Sequence, residues 1–329
     1  MTPARVSVVI PAYKAAATIG MAVHSCLADA AVSEIIVVVD GPDPVLQDAI
    51  PKSARISTIV NPSTLGAPAA RNVGLRRANG KYILFLDADD YVEDGLITGL
   101  LQAGEAEGAD IAFGPYAFAL ASGQRIDVSI EKSIGRPTPA SVMKAWFTGD
   151  YVPCCSVLLR TAFLHEIGGW NEAFLKNQDG ELMWRACRRQ PVMASSTAGC
   201  GVYVQGQPSN RVSGNATAPA LRQQVDFLAH VESELTPDEL LHLSKEIGTM
   251  YYRLARLAYY NGLIDIGMDA EAAARRRGYD GHSGSIWHKA FASLLGLRLK
   301  ERLCVRLHKA ERALGVLRPR VRLLSGIDQ

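Results

Sequence analysis

Asp87, Asp89 and Asp90 stand within four consecutive positions, directly after the apolar run Tyr82-Ile83-Leu84-Phe85-Leu86. Packing accounts for the run but not for the acids. Carboxylates this close repel one another and are costly to desolvate unless a positive group offsets them. A divalent metal is the simplest offset, because it takes hard oxygen ligands and often also binds phosphate. A solvated acidic turn is the competing reading. A second acidic cluster, Asp179 and Glu181, opens a helical stretch that reaches Arg188. Acidic groups suit a helix N-terminus, so Asp179 by itself reads as a capping carboxylate.

These groups are positioned by alternating elements. Val6–Ile10, ended by Pro11, reads as a strand, and Ile19, Ala22, Val23, Cys26 and Leu27 recur on one helical face. Ile35–Val39 is branched throughout and reads as a buried strand that ends in the turn Asp40-Gly41-Pro42-Asp43-Pro44. A short helix near Val45–Ile50, a strand over Ile56–Val60 and a helix from Pro68 to about Ala78 follow. The run Tyr82–Leu86 is then the fourth strand, with a helix from about Gly95 to Ala106 behind it. This alternation predicts a doubly wound sheet. Right-handed crossovers bring the strand ends to one edge, where ligands bind, so Asp40 and Asp87–Asp90 become neighbours.

Farther on, Tyr116–Leu120 and Arg125–Ile130 flank a Ser-Gly turn and read as a hairpin. A helix opens near Thr138-Pro139, Ser156–Leu159 forms another strand, and Thr161 caps a helix that stops at Gly168-Gly169. From Thr217 the pattern is helical. Thr236-Pro237-Asp238-Glu239 makes a capping box, Asn261-Gly262 ends that helix, and another runs over about Leu263–Arg277. The last forty residues are strongly basic, with Leu299, Leu303, Leu307 and Ala310 on one face. Such a helix lies on an anionic membrane surface, or else packs as a solvated helix on its own domain.

The 329 residues suit one large domain or a domain with an appendage. A net charge of +2 gives no case for nucleic acid as a partner, and six cysteines without C-x-x-C spacing fit reduced thiols. With neither a signal-peptide core nor an apolar run of membrane-spanning length, the expected location is cytoplasmic, peripheral at the inner face of the cell membrane.

In chain order, Val6–Tyr13, Glu34–Gly41, Gly66–Leu75 and Gly80–Asp90 resemble the successive motifs of family-2 glycosyltransferases of the GT-A fold. Gly168-Gly169-Trp170-Asn171-Glu172, followed by Gln178-Asp179-Gly180-Glu181-Leu182 and Arg185, is similar to that family's acceptor-side motif. The resemblance covers about residues 5–213. It implies an α/β GT-A domain over 1–215, Rossmann-like with a mostly parallel sheet flanked by helices. The nucleotide-sugar half covers about 1–114 and the acceptor half about 115–215, with an all-helical C-terminal extension over 216–329.

The implied reaction is inverting transfer of a hexose from a UDP-sugar donor to a hydroxyl of a glycan or lipid-linked acceptor, in cell-surface polysaccharide synthesis. Asp40 matches the carboxylate that contacts the base, while Pro11, Tyr13 and Arg71 fall in the nucleotide-binding motifs. Arg71 also reads as a helix-face cation paired to a neighbour. Asp89 matches the ligand of a divalent metal, Mg²⁺ or Mn²⁺, Asp87 a residue near ribose or metal, and Asp179 the general base. Three positions depart from the family pattern. Val39 and Gln178 replace acids, and where many relatives supply a late His ligand this chain carries Arg211 and Ser213, so either the metal relies on Asp89, phosphates and water or Arg211 faces the diphosphate directly.

Two rival readings remain at this point. One is a non-catalytic GT-A-like nucleotide-binding or scaffold protein. The other is a phosphotransferase of the haloacid-dehalogenase type built on Asp87-Ala88-Asp89, against which Tyr91 stands where that family has Thr or Val.

Overall fold

The computed structural model describes residues 6–93, 95–174, 176–205, 216–279 and 286–304. These divide into two compact units, the first of residues 1–143, 151–174 and 178–207, the second of residues 144–150, 175–177 and 208–329.

The first unit begins with strand β1 (Val6–Ala12), helix α1 (Ile19–Leu27), β2 (Val32–Val39), α2 (Pro44–Ala49), β3 (Ile56–Val60), α3 (Ala67–Leu75) and β4 (Tyr82–Phe85). Then come β5 (Tyr91–Glu93), α4 (Leu96–Glu107), β6 (Ile111–Phe113), β7 (Tyr116–Leu120), β8 (Arg125–Val128), α5 (Ile130–Ser133) and α6 (Pro139–Thr148), whose last turns belong to the second unit. A 3₁₀ turn (Cys154–Ser156), β9 (Val157–Arg160), α7 (Thr161–Glu166), α8 (Gln178–Arg188), β10 (Met193–Ser195) and β11 (Cys200–Gln205) complete it.

The main sheet has seven strands in the order β10-β6-β9-β4-β1-β2-β3, and only β9 runs against its neighbours. This is the mostly parallel α/β arrangement that the alternation implied. A second sheet has the order β5-β11-β7-β8. The apolar stripe of α1 (Ile19, Ala22, Val23 and Cys26) is buried in the same core as Val8, Ile10, Ile35, Val37 and Leu84. On α3, a Cβ added at Gly74 would lie 2.3 Å from Cγ1 of Val9. The helix therefore approaches β1 as closely as only a glycine permits.

Several local expectations change. β1 does not stop before Pro11 but continues to Ala12. Leu86 N–H donates to Val9 O, and Asp40 N–H donates to Ala12 O. By strand alternation the backbone of Pro11 therefore faces the β4 side. Pairing with β4 has ended there at Val9↔Phe85, so the missing N–H of Pro11 breaks no ladder bond. α3 ends at Leu75 rather than near Ala78. β8 stops at Val128 because the Ser129 hydroxyl accepts from Lys132 N–H and starts a helical turn. Thr161 does not cap α7; its hydroxyl donates to Gly80 O at 2.7 Å, and the cap position is Arg160.

In the second unit, α9 (Ala218–Glu234), α10 (Pro237–Tyr260) and α11 (Ile264–Arg276) are followed by α12 (Ile286–Leu295) and a helical segment over 297–304. The capping box forms as the sequence requires: Thr236 Oγ1 accepts from Glu239 N–H while the Glu239 carboxylate accepts from Thr236 N–H. Arg277 donates to Glu232 at 2.5 Å, and Glu301 accepts from Arg256 and Lys300. The basic residues beyond position 304 lie outside the described residues, as does Arg211.

Candidate active site

Where β4 leaves the sheet, the backbone turns sharply, with Asp90 N–H donating to Asp87 O at 3.0 Å. The three acids then take separate directions. Asp90 is fully buried and accepts from Val204 N–H of β11 at 2.9 Å, which ties the turn to the second sheet. It is a structural brace, so the solvated-turn reading does not hold for this residue. Asp89 is half-buried. Asp87 accepts from Arg71 Nη2 at 2.6 Å, with 33% of its side chain exposed against 5% for the arginine.

Arg71 joins three elements. It reaches from α3 to Asp87, donates through Nη1 to Gln178 Oε1 at 3.1 Å at the start of α8, and lies 4.4 Å above the Trp170 ring. Trp170 is fixed in turn. Its N–H and C=O both pair with the Asn72 side-chain amide at 2.8 Å, and its ring meets Phe85 edge-on at 5.2 Å. α8 is held by Glu181, whose carboxylate receives the Arg185 fork at 2.5 and 2.7 Å, while Arg185 also donates to the carbonyls of Gly169 and Ile167. Arg71 is thus paired to neighbours, and those bonds join α3 to the turn after β4 and to α8.

Asp179 sits in the first turn of α8. It makes no hydrogen bond among the described residues, so it is not a hydrogen-bonding cap. Its Oδ1 is sealed from water with no partner, and what exposure the carboxylate has falls on Oδ2. Burial pushes the Asp179 carboxyl above the ordinary range; Arg71 pulls it down and Asp87 pushes it up again. Burial also opposes the Arg71 charge, but the Asp87 and Asp179 carboxylates outweigh it and keep the guanidinium protonated. The half-buried Cys154 thiol feels the same surroundings and is held protonated, first by burial and then by Asp87 and Asp179.

Asp40 does different work. At the end of β2 its Oδ1 accepts from Asn61 Nδ2 and Leu65 N–H and its Oδ2 from Gly66 N–H, at 2.8 to 3.0 Å. It thereby fixes the 61–66 loop that launches α3 and Arg71. A carboxylate has about four lone-pair sites, so Asp40 keeps one on Oδ2. Pro11 is half-buried beside this strand end, and Tyr13 is 54% exposed with Lys14 Nζ 5.0 Å from its ring centre.

Among the described residues no three His, Cys, Asp or Glu side chains are grouped to cage a metal. That donor set still fits Mg²⁺ or Mn²⁺, which are commonly held by one or two carboxylates together with substrate phosphates. The charge balance agrees, since Asp87 and Asp179 face one Arg71, and Asp89 adds a further negative group on the same turn.

Sequence reasoning reached Asp87, Asp89, Asp179, Asp40 and Arg71. It did not find Trp170 as the platform under Arg71, the Asn72 clamp, or the Glu181–Arg185 brace. The available signal was the burial of polar residues on α3: Arg71 and Asn72 lie among Ala69, Ala70, Gly74 and Leu75 on a helix that has to pack.

The architecture is that of GT-A transferases. The crystal structure of S. aureus TarS 1–349 in complex with UDP-GlcNAc superposes with a TM-score of 0.57, covering 83% of this chain and 92% of that one at 16% identity. A model of glycosyl transferase family 2 matches residues 7–165. A glycosyltransferase of Haemophilus influenzae is 30% identical over 126 residues, a match spanning 37% of this chain and half of that protein's length. The UDP-Glc:alpha-D-GlcNAc-diphosphoundecaprenol beta-1,3-glucosyltransferase WfaP of Escherichia coli is 36% identical over 266 residues, covering 79% of this chain and 94% of WfaP. The chain belongs to glycosyl transferase family 2.

Proposed function

We propose that the protein is an inverting transferase that moves a hexose, glucose in the first instance, from a UDP-sugar to a hydroxyl of a lipid-linked glycan at the inner face of the cell membrane. The observation that carries this reading is the meeting of Arg71, Asp87 and the Gln178–Asp179 pair, with one Asp179 oxygen dry and the other reaching solvent. The match to WfaP supports the donor and the acceptor class.

In this reading the Oδ2 of Asp179 takes the proton of the acceptor hydroxyl. The acceptor oxygen bonds to the anomeric carbon from the face opposite the diphosphate, the carbon–oxygen bond to phosphate breaks, and UDP leaves with the electron pair. One displacement inverts the configuration. The dry Oδ1 suits the task, because a carboxylate short of hydration is a stronger base than one in water. Arg71 keeps Asp179 ionisable and holds Asp87 toward the ribose. Asp89 would hold the divalent cation, with Asp87 beside it. When bound, that cation neutralises charge on the departing diphosphate. The free lone pair of Asp40 and the Pro11 carbonyl accept from the base, and Tyr13 covers it.

Asp179→Asn tests the reading. Turnover should fall at least ~100-fold, the usual contribution of a general base, while calorimetry shows UDP binding unchanged in the presence of Mn²⁺. Transfer at the parent rate would remove Asp179 from the role.

A further inference from the structure

Five of the large apolar side chains exposed among the described residues fall within the short stretch 286–304: Ile286, Phe291, Leu294, Leu299 and Leu303. Ile286 and Leu294 are 83% and 81% exposed. On α12, Ile286, Ala290 and Leu294 follow at i, i+4 and i+8 and so form one ridge. Over 297–304, Leu299 and Leu303 make a second ridge, flanked by Arg298 and Arg302 at the same spacing. Opposite faces are packed: Ala292 and Leu297 are buried, and so are Lys300 and Glu301. These helices are therefore seated in their unit, and their outward faces are apolar and basic.

The charges indicate the occupant. Exposed cations here are Lys289, Arg298 and Arg302, and the stretch has a single acid, Glu301, which is buried and paired to Arg256 and Lys300. A second copy of the chain would bring cation against cation. An anionic lipid surface meets both requirements: apolar ridges enter the headgroup boundary while Lys and Arg stay among the phosphates. No helix among the described residues is long and apolar enough to cross a membrane.

We infer that α12 and the 297–304 helix dock the protein on an anionic bilayer through Ile286, Phe291, Leu294, Leu299 and Leu303, with Lys289, Arg298 and Arg302 contacting lipid phosphate. This deepens the proposed location at the membrane and does not depend on the transfer chemistry.

The test is co-sedimentation of the full chain with phosphatidylcholine vesicles, with and without phosphatidylglycerol. Binding should require phosphatidylglycerol and weaken as salt is raised. Removing both arginines (Arg298→Gln with Arg302→Gln) should weaken it about thirty-fold, since one basic residue near such a surface contributes about five-fold. Leu294→Glu should cost at least ten-fold and leave the thermal melt unchanged. If the parent chain binds and these variants bind equally well, the membrane location stands and this face is wrong. If Leu294→Glu instead converts a dimer to a monomer in sedimentation velocity, the face belongs to a second copy and the lipid assignment fails. If vesicles are bound as expected but no sugar is transferred, the proposed function fails alone.

Discussion

Consider Arg71→Met, which keeps an apolar chain of similar length and deletes the cation. The side chain it replaces is 5% exposed and bonded to a carboxylate that is one-third exposed. Stripping one partner from a buried pair costs ~3–5 kcal/mol, and because the orphaned Asp87 keeps some water we take ~2.5 kcal/mol. Gln178 loses its donor, for ~1 kcal/mol at a half-buried amide. The stack on Trp170 is partly replaced by a thioether contact, leaving a loss of ~0.5 kcal/mol. Against these, Arg71 Nε is buried without a partner, and its removal returns ~1 kcal/mol. The sum is a loss of ~3 kcal/mol, readable as a lower urea midpoint at unchanged slope.

The same variant predicts a shift in pH dependence. Arg71 lowers the Asp179 pKa, which burial raises. Without the cation the folded-state pKa rises further above the unfolded value, so the ionised base forms only at higher pH. The acid limb of kcat/KM should therefore move upward in Arg71→Met. It should move downward in Asp87→Asn, which removes a group that raises the same pKa. On stability the sign is the reverse of a salt-bridged acid. A raised carboxyl costs nothing below its unfolded pKa and destabilises progressively as pH climbs through the folded one. A loss below ~1 kcal/mol would show that solvent screens the Arg71–Asp87 pair like a surface one, and an acid limb unmoved in both variants would refute the coupling.

Asp40→Ala removes the acceptor for three donors, one on the buried Asn61. It should cost ~4.5 kcal/mol, at ~1.5 kcal/mol for each hydrogen bond to a charged group, and limited proteolysis should open the 61–66 loop first. Gly74→Ala puts a methyl 2.3 Å from Val9 and should destabilise by ~1–3 kcal/mol as overpacking, measured as a lower melting temperature with UDP affinity retained in the folded fraction.

The parallel sheet was legible because its strands are short branched runs separated by helical periodicity; Ile56–Val60 was bounded to the residue. The second sheet was legible only in its β7–β8 hairpin. β5 and β11 do not announce themselves, since Tyr91–Glu93 is three residues long and Cys200–Gln205 pairs across more than a hundred positions. The site divides in the same way. Asp87 and Asp89 declared themselves by crowding at a strand end. The Arg71–Gln178 and Asn72–Trp170 bonds join residues 107 and 98 positions apart, a separation at which no local pattern carries information. Asp179 looked like a cap because it lies in the first turn of α8; only its lack of any hydrogen bond distinguishes it.

β1 outlasts its pairing with β4 by three residues, Ile10 to Ala12. Ile10 and Ala12 turn their peptide groups to β2, so the group left without a strand partner on the β4 side is the Pro11 carbonyl. A base set against that edge would be read by a peptide oxygen, which no point mutation replaces. Alanine scanning across β1 would therefore under-report its part in donor binding. A change of nucleotide preference would have to be engineered in the surrounding side chains, or by moving the strand itself.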